Sequence, residues 1–531
     1  MNILQPDRNC SNPYRVSSAE LLIDGRAYYR AFFRTILRAS RFILMAGWRF
    51  DSEVALLRGE EAENAQAPVH LLSLLKQLCE RTPYLSVFVL AWDFNVLYSL
   101  DREWFQKWQF DWQSPRIFFR FDGRHPLGAS HHQKFAVVDG TSAFLGGMDL
   151  CARCWDDRDH LPENPLRVDP DDRPYEAHHD VQAHLEGPAA GYLTELFVHR
   201  WRLAGGESLD QLLREGKNRR EETDNSYRPE PTNPEYFPRG KSDGEALPGE
   251  IPLHPAPVSF SVTMPGTPPG FNDPVRQIQH LYRDAIGGAR RFVYLENQYF
   301  SSRIIYNAFL QRFRDPGKPR LQVVVILPKE PHTLLETVAL INREADTLRG
   351  LKKEALRYGH RIGVYHTSSG KGKNRIPVYI HSKLLLVDHR FLTVGSANLA
   401  DRSMGLDTEL NVSWEGNPDN CLRRVATELL VEHTGRDRDE AEEAFEPGRD
   451  VVSFMDECAS DENCRLHVLT EEVLFSNRKA FRKLLPPDFA IDPDGPVLEG
   501  GLYEAFSGSG EEYARGVSSL FAELNRRRHS E

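Results

Sequence analysis

The chain has 531 residues, 40% hydrophobic and 27% charged, with a formal net charge of -11 and a pI near 6.0. This is globular material for two to four domains, and its acidity argues against bulk electrostatic capture of nucleic acid or of an anionic membrane. Seven scattered cysteines argue against a disulfide framework. With no leader pattern and no apolar run of spanning length, a cytoplasmic monomer is expected, with peripheral membrane contact left open.

Taken in order, residues 26–40 place Tyr28, Tyr29, Phe32, Phe33, Ile36 and Leu37 on one helical stripe. Phe42 to Ala46 reads as a buried strand, a helix follows around 69–80, and Leu85 to Leu90 reads as a second strand. Then comes His132-Gln133-Lys134 at the mouth of an apolar strand, a hairpin turn at Asp139-Gly140, and the strand Ala143-Phe144-Leu145. The second half repeats this order. Val275 to Ile286 is a helical stripe, and Phe292 to Leu295 is a strand running into Glu296-Asn297-Gln298-Tyr299-Phe300. Another helix precedes the strand Leu321 to Leu327. His381-Ser382-Lys383 opens the next strand, with a turn at Asp388-His389-Arg390 and a strand Phe391 to Val394. The expected fold is α/β: two similar lobes, each a sheet flanked by helices, related by a pseudo-two-fold duplication, with one active site at their interface. The expected divisions are a first lobe at 1–213, a linker or long surface loop at 214–256, a second lobe at 257–435 and a C-terminal extension of unassigned role at 436–531.

The duplication is densest at one motif. H-x-K-x-x-x-x-D occurs as His132, Lys134, Asp139 and again as His381, Lys383, Asp388. Small residues follow at matching offsets, Gly146-Gly147-Met148-Asp149 and Gly395-Ser396-Ala397-Asn398, and 17 positions separate His132 from Asp149 and His381 from Asn398. These residue types suit a phosphodiester. Two lysines neutralise the anion from two sides, Gly147 and Ser396 admit close approach, and the Ser396 hydroxyl and Asn398 amide add hydrogen bonds. One imidazole attacks phosphorus and the other protonates the departing oxygen. No metal or other cofactor is required, because the lysines carry the positive charge. Each histidine needs its far nitrogen held, and the reading within each half assigns Asp180 to His132 and Glu409 to His381. The two offsets, 48 and 28, differ by 20 residues, which the polar insert at 155–178 accounts for. Asp139, Gly146 and Asp388 are assigned to the turn and its packing. The acidic clusters of the insert fit no EF-hand spacing, and Cys151-x-x-Cys154 lacks the second pair of a zinc site.

At these residues the chain resembles the phospholipase D superfamily, whose signature is the doubled HKD motif. The plant and animal type enzymes are the nearer likeness. His131-His132-Gln133-Lys134, Gly146 to Cys151 and His179-Asp180-Val181 carry it in the first half. Tyr294 to Phe300, Tyr379 to Lys383 and Gly395 to Met404 carry it in the second. The resemblance covers about residues 20–435. It implies metal-independent, two-step phosphoryl transfer through a covalent phosphohistidine. His132 is then the nucleophile, His381 the acid and later the base, and Lys134, Lys383, Ser396 and Asn398 hold the phosphate. About twenty residues precede the first repeat, so recruitment through a C2, PX or PH module is not expected. Asp149 stands where the second half has Asn398, and a carboxylate there is assigned a structural place.

The expected substrate is a glycerophospholipid such as phosphatidylcholine, cleaved to phosphatidic acid by water or transferred to an alcohol. The alternatives are a cardiolipin synthase-like phosphatidyltransferase and a nucleic-acid phosphodiesterase of the same superfamily. The acidic balance disfavours a nucleic acid partner. Trp104, Phe105, Trp108, Phe110 and Trp112 form the densest aromatic cluster. Packing in a core and contact with a membrane surface both remain open for them.

Overall fold

The computed structural model describes residues 2–93, 110, 114–126, 128–209, 211–213, 247–266, 273–330, 334–416, 418–470, 472–473 and 492. Most of the expected linker, most of the tail beyond 473, and four of the five clustered aromatics lie outside these. The fifth, Phe110, is fully buried, its ring 5.2 Å from that of Phe119.

The strands of the first half are β1 (Ser18–Ile23), β2 (Phe42–Gly47), β3 (Ser86–Trp92), β4 (Ile117–Asp122), β5 (Phe135–Val138), β6 (Ser142–Gly146), β7 (Ala177–His179), β8 (Val181–Glu186) and β9 (Glu250–Leu253). Those of the second are β10 (Val258–Met264), β11 (Val275–Arg276), β12 (Phe292–Glu296), β13 (Gln322–Ile326), β14 (Arg361–Ser369), β15 (Ile376–Ile380), β16 (Leu384–Val387), β17 (Phe391–Gly395), β18 (Glu409–Glu415) and β19 (Leu466–Val468). One sheet runs β4-β3-β2-β5-β6-β8-β1-β9, the other β11-β10-β18-β17-β16-β12-β13-β14-β15-β7, with β19 beside β14. Within them a seven-strand unit recurs: β4-β3-β2-β5-β6-β8-β1 matches β14-β13-β12-β16-β17-β18-β10. The parallel and antiparallel pairings agree strand by strand. The duplicated α/β arrangement is therefore present in the backbone.

The strand sequences explain the layering. β2, Phe-Ile-Leu-Met-Ala-Gly, is buried throughout, as a central strand covered on both faces must be. Its alternate residues divide, with Leu44 and Ala46 facing one core and Ile43 and Met45 another. In β12, Tyr294 faces the same core as Leu44, while Val293 and Leu295 face a third. Both sheets thus share one apolar core, to which the helices Ala189–Leu203 and Cys421–Thr434 also contribute. The helices Asp24–Ile36 and Leu71–Arg81 cover the first sheet's other face, and Gln277–Gly288 and Arg303–Arg314 the second's.

Two places differ from the sequence reading. The end of the segment read as linker forms β9, an edge strand against β1 with Ala19 opposite Leu253. Its Pro252 is tolerated because an edge strand has one unpaired side. The start of the C-terminal extension belongs to the second lobe. Its helices Arg438–Glu443 and Val451–Ser460 lead to β19, which pairs Thr367 with Leu466.

Asp139 and Asp388 do the same work in both lobes. Each sits at positive φ, 54° and 52°, in the tight turn after the motif strand. The Asp139 carboxylate accepts the backbone N–H groups of Ser40, Arg41 and Phe42 at 2.8–2.9 Å. Asp388 accepts those of Arg290, Arg291 and Phe292 at 2.7–2.9 Å. The last residue of the motif therefore ties the hairpin to the start of the adjacent central strand.

Candidate active site

The two motif histidines reach one region because the lobes exchange backbone just before each motif strand. β15 pairs in parallel with β7, so Ile380 lies opposite His179, and the His381 N–H donates to the His179 carbonyl at 2.8 Å. The first half mirrors this. His131 bridges Thr408, and the His132 N–H donates to the Thr408 carbonyl at 3.0 Å.

The exchange sets each histidine against the other lobe's carboxylate. His132 Nδ1 lies 3.0 and 3.1 Å from the Glu409 oxygens, and His381 Nδ1 lies 2.7 Å from Asp180 Oδ2. This corrects the pairing within each half: Asp180 does not hold His132, and Glu409 does not hold His381. The offset argument followed each carboxylate along its own half, and the partners meet only through the cross-lobe pairing at His179 and Thr408.

Glu409 is fully buried and richly donated to. Backbone N–H groups of Leu410 and Asn398 donate to the hydroxyls of Ser396 and Ser403, at 3.0 and 3.2 Å. Those hydroxyls pass their own protons on to Glu409, at 2.5 and 2.6 Å. With His132 Nδ1–H the carboxylate accepts three bonds. Nε2 of His132 is left as the nitrogen with the lone pair. Burial, with Lys134 and Lys383 adding to it, holds the His132 imidazole well below its ordinary pKa, so it is neutral at pH 7. Burial, helped by Asp407, raises the Glu409 carboxyl, while the Ser396 and Ser403 hydroxyl donors and Lys134 favour the ionised form that accepts from His132. Burial also raises Asp180, with Lys383 opposing.

The lysines are placed alike and partnered differently. Each donates to the carbonyl of the histidine two residues before it, Lys134 at 3.3 Å and Lys383 more closely. Lys134 Nζ is 3.1 Å from Asp149 and 5.5 Å from the centre of the Trp48 ring. Lys383 Nζ is 3.2 Å from Gln298 Oε1. The Trp48 ring also stands edge-on to His132 at 5.3 Å.

The small residues serve other neighbours than the sequence reading gave them. A Cβ on Gly147 would lie 2.3 Å from Asp180 Oδ1, and one on Gly146 would meet Gln182 Oε1 and the Val181 carbonyl. Gly147 makes room for a carboxylate of its own lobe. At the matching position the Ser396 hydroxyl donates to Glu409, so in this geometry it orients the carboxylate instead of offering its proton to a phosphate. Asn398 Oδ1 is buried with no hydrogen-bond partner among the described residues. Thr408, Ser403, Trp48 and Gln298 join the site without having been singled out for these places. The one available signal was adjacency, since Thr408 precedes Glu409, Ser403 follows Asn398, and Gln298 sits in the Glu296–Phe300 run.

Comparison with known proteins finds the following likenesses. The family pattern described as "Cardiolipin synthase, PLD-like domain" matches residues 282–429. Phospholipase D alpha 1 of Nicotiana tabacum is 25% identical over 499 residues, covering 72% of this chain and 60% of that protein. Phospholipase D alpha 1 of Carica papaya is 26% identical over 483 residues, covering 70% and 58%. The chain therefore spans about 60% of the length of the curated relatives it matches. Among solved structures, a phosphatidylserine synthase of Haemophilus influenzae Rd KW20 aligns over 89% of this chain and 96% of its own, at 13% identity and a TM-score of 0.49.

Proposed function

We propose that this chain, which is similar to phospholipase D proteins, is a phosphodiesterase or phosphatidyltransferase of that superfamily acting on a glycerophospholipid through a phosphohistidine. The observation that carries the reading is the pair of crossed dyads, His132–Glu409 and His381–Asp180, with Lys134 and Lys383 each bonded to the carbonyl of its own motif histidine.

The geometry supports the following steps. His132 Nε2 attacks phosphorus and a P–N bond forms as the bond to the leaving oxygen breaks. His381, as imidazolium, gives that oxygen its proton from Nε2 while Asp180 holds Nδ1. Glu409 offsets the positive charge that develops on the His132 ring, and Lys134 and Lys383 face the phosphoryl oxygens. In the second step neutral His381 takes a proton from water or an alcohol, whose oxygen displaces His132. Water yields phosphatidic acid, and a primary alcohol yields the phosphatidylalcohol. The relatives named phospholipase D favour a lipid, and the net charge of -11 disfavours a nucleic acid.

The test is incubation with phosphatidylcholine, phosphatidylglycerol and phosphatidylethanolamine plus a primary alcohol in EDTA, for wild type and His132→Asn. Phosphatidic acid or phosphatidylalcohol from wild type alone is the expected result. Cleavage of single-stranded DNA or RNA with no turnover of any lipid would replace the lipid reading with the nuclease one.

A further inference from the structure

Behind His381 lies a second cluster that the phosphoryl-transfer steps do not use. Asp24, His160, His179 and Glu432 come from two helices, a strand and the connection between β6 and β7, and none exposes more than 1% of its surface except Glu432, at 2%. Their ligand-type atoms all lie within 4.8 Å of one another. His179 Nδ1 is 2.9 Å from Asp24 Oδ1 and 2.6 Å from Glu432 Oε1. His160 Nε2 is 3.5 Å from Asp24 Oδ2 and 3.3 Å from Glu432 Oε1. A tetrahedral ion bound at about 2.0–2.1 Å separates its ligand atoms by roughly 3.3 Å, which is the scale of these edges.

Two further observations point to an ion at the centre. Asp24 Oδ2 is a fully buried carboxylate oxygen with no hydrogen-bond partner among the described residues, its nearest cationic neighbour being His160 Nε2 at 3.5 Å. Each imidazole also has its outer nitrogen held by a carboxylate. His160 Nδ1 is 2.9 Å from Asp156 Oδ2, and His179 Nε2 is 2.9 Å from Glu296 Oε2. Those carboxylates are themselves held. Arg167 and the His178 N–H donate to Asp156, and the Ser382 and Tyr294 hydroxyls donate to Glu296. Outer carboxylates that fix the tautomer and turn the inner nitrogens inward are the arrangement of metal-bound histidine.

We propose that Asp24, His160, His179 and Glu432 bind one divalent transition-metal ion of zinc's class. Two imidazoles and two carboxylates suit zinc, cobalt or manganese, and full burial means the ion enters as the chain folds. Its place is positional. Asp24 N–H donates to the Asp180 carbonyl at 2.8 Å, Asp180 N–H donates back to Asp24 Oδ1 at 3.3 Å, and the His179 carbonyl holds the His381 N–H. The ion thus fixes the Asp180–His381 dyad and takes no part in bond making. The competing occupants are protons on His160 and His179, which the surrounding carboxylates favour.

The experiment compares protein made in zinc-supplemented and zinc-depleted medium, gel-filtered in EDTA, by elemental analysis. About one zinc per chain is expected in wild type, falling to below about a tenth in Asp24→Asn and His160→Asn. Asn is chosen because both positions have positive φ, 66° and 48°, which it tolerates. Should neither variant fold, cobalt-substituted wild type decides. Tetrahedral d–d bands without thiolate charge transfer support the site, whereas thiolate bands place the ion at Cys151 and Cys154. Metal-free wild type should lose turnover with alkoxide leaving groups more than with p-nitrophenolate, a split that a merely structural ion would not produce. Absence of stoichiometric metal in wild type, or its full retention in both folded variants, overturns the proposal.

Discussion

In the first half-site Lys134 lies against a carboxylate, Asp149, and an aromatic face, Trp48; in the second, Lys383 lies against an amide, Gln298. Behind His132 the chain has Thr408, and β2 has Ala46 beside the motif strand; behind His381 the matching places hold His179 and Glu296. One backbone plan, used twice, thus gives one histidine a buried setting between Glu409 and Trp48 and the other a partly exposed ring, 20% accessible, backed by a charged cluster. The first setting suits a neutral nucleophile. The second suits a group that must exchange protons with an outside oxygen.

The largest expected effect separates the two histidines outright. His132→Asn and His381→Asn should each lower turnover of phosphatidylcholine by about 10⁴-fold or more. With a p-nitrophenyl phosphodiester, whose leaving group needs no proton, they should part. His381→Asn gives a burst of p-nitrophenol and accumulates a phosphoenzyme that it cannot hydrolyse, and His132→Asn gives none. A burst in His132→Asn alone would reverse the roles.

Next in size is the crossing itself. Glu409→Gln should cost on the order of 10²–10⁴ in kcat/KM. It should add little in a His132→Asn background, because the two act as a unit. Asp180→Asn should couple in the same way to His381→Asn, and should hurt alkoxide leaving groups more than p-nitrophenolate. Additivity of Glu409→Gln with His132→Asn, and coupling of Asp180 with His132, would restore the pairing within each half.

That pairing shows where the sequence stopped being legible. The repeat could be read because buried strands leave a short apolar run wherever they occur: Phe42 to Ala46 and Phe292 to Leu295 announce equivalent central strands. The residues that meet at the site could be read because histidine and lysine at a strand mouth are chemically specific. Which carboxylate meets which histidine depends on three-residue β7 and on a single bridge at His131, and neither has enough length to show a period. Ser396 was assigned to a phosphate because hydroxyls bind phosphates. The structure shows its proton going to Glu409, a choice set by the fold's register of Gly395 against Asn411 and not by residue type. β9 was hidden by Pro252 and by its place at an edge.

A smaller effect tests the charge difference. Asp149→Asn gives the first half-site the residue that the second has at Asn398, and it keeps an oxygen for the Trp48 N–H, which Asp149 now accepts at 2.9 Å. Removing the carboxylate leaves the Lys134 charge uncompensated. KM for an anionic phosphodiester should fall by about three- to ten-fold, and inorganic phosphate should inhibit more strongly. An unchanged KM would mean that Lys134 does not face the substrate.

The smallest effect falls where the halves are most alike. Asp139 and Asp388 each hold three backbone N–H groups of a neighbouring central strand, far from phosphorus chemistry. Asn at either position keeps the positive φ but can accept through one oxygen only, so each variant should lose about 1–2 kcal/mol of stability. The Asp139 carboxylate also takes the Ser40 hydroxyl, at 2.8 Å, so Asp139→Asn should lose slightly more. The two clamps share no partner, so the losses should add in the double variant, read as a fall in Tm or in the urea midpoint. Specific activity of the folded fraction should stay at the wild-type level in both. A loss of kcat without a loss of stability in either would make that aspartate part of the chemistry, and would break the likeness between the lobes at a turn where each holds the matching three backbone N–H groups of a central strand.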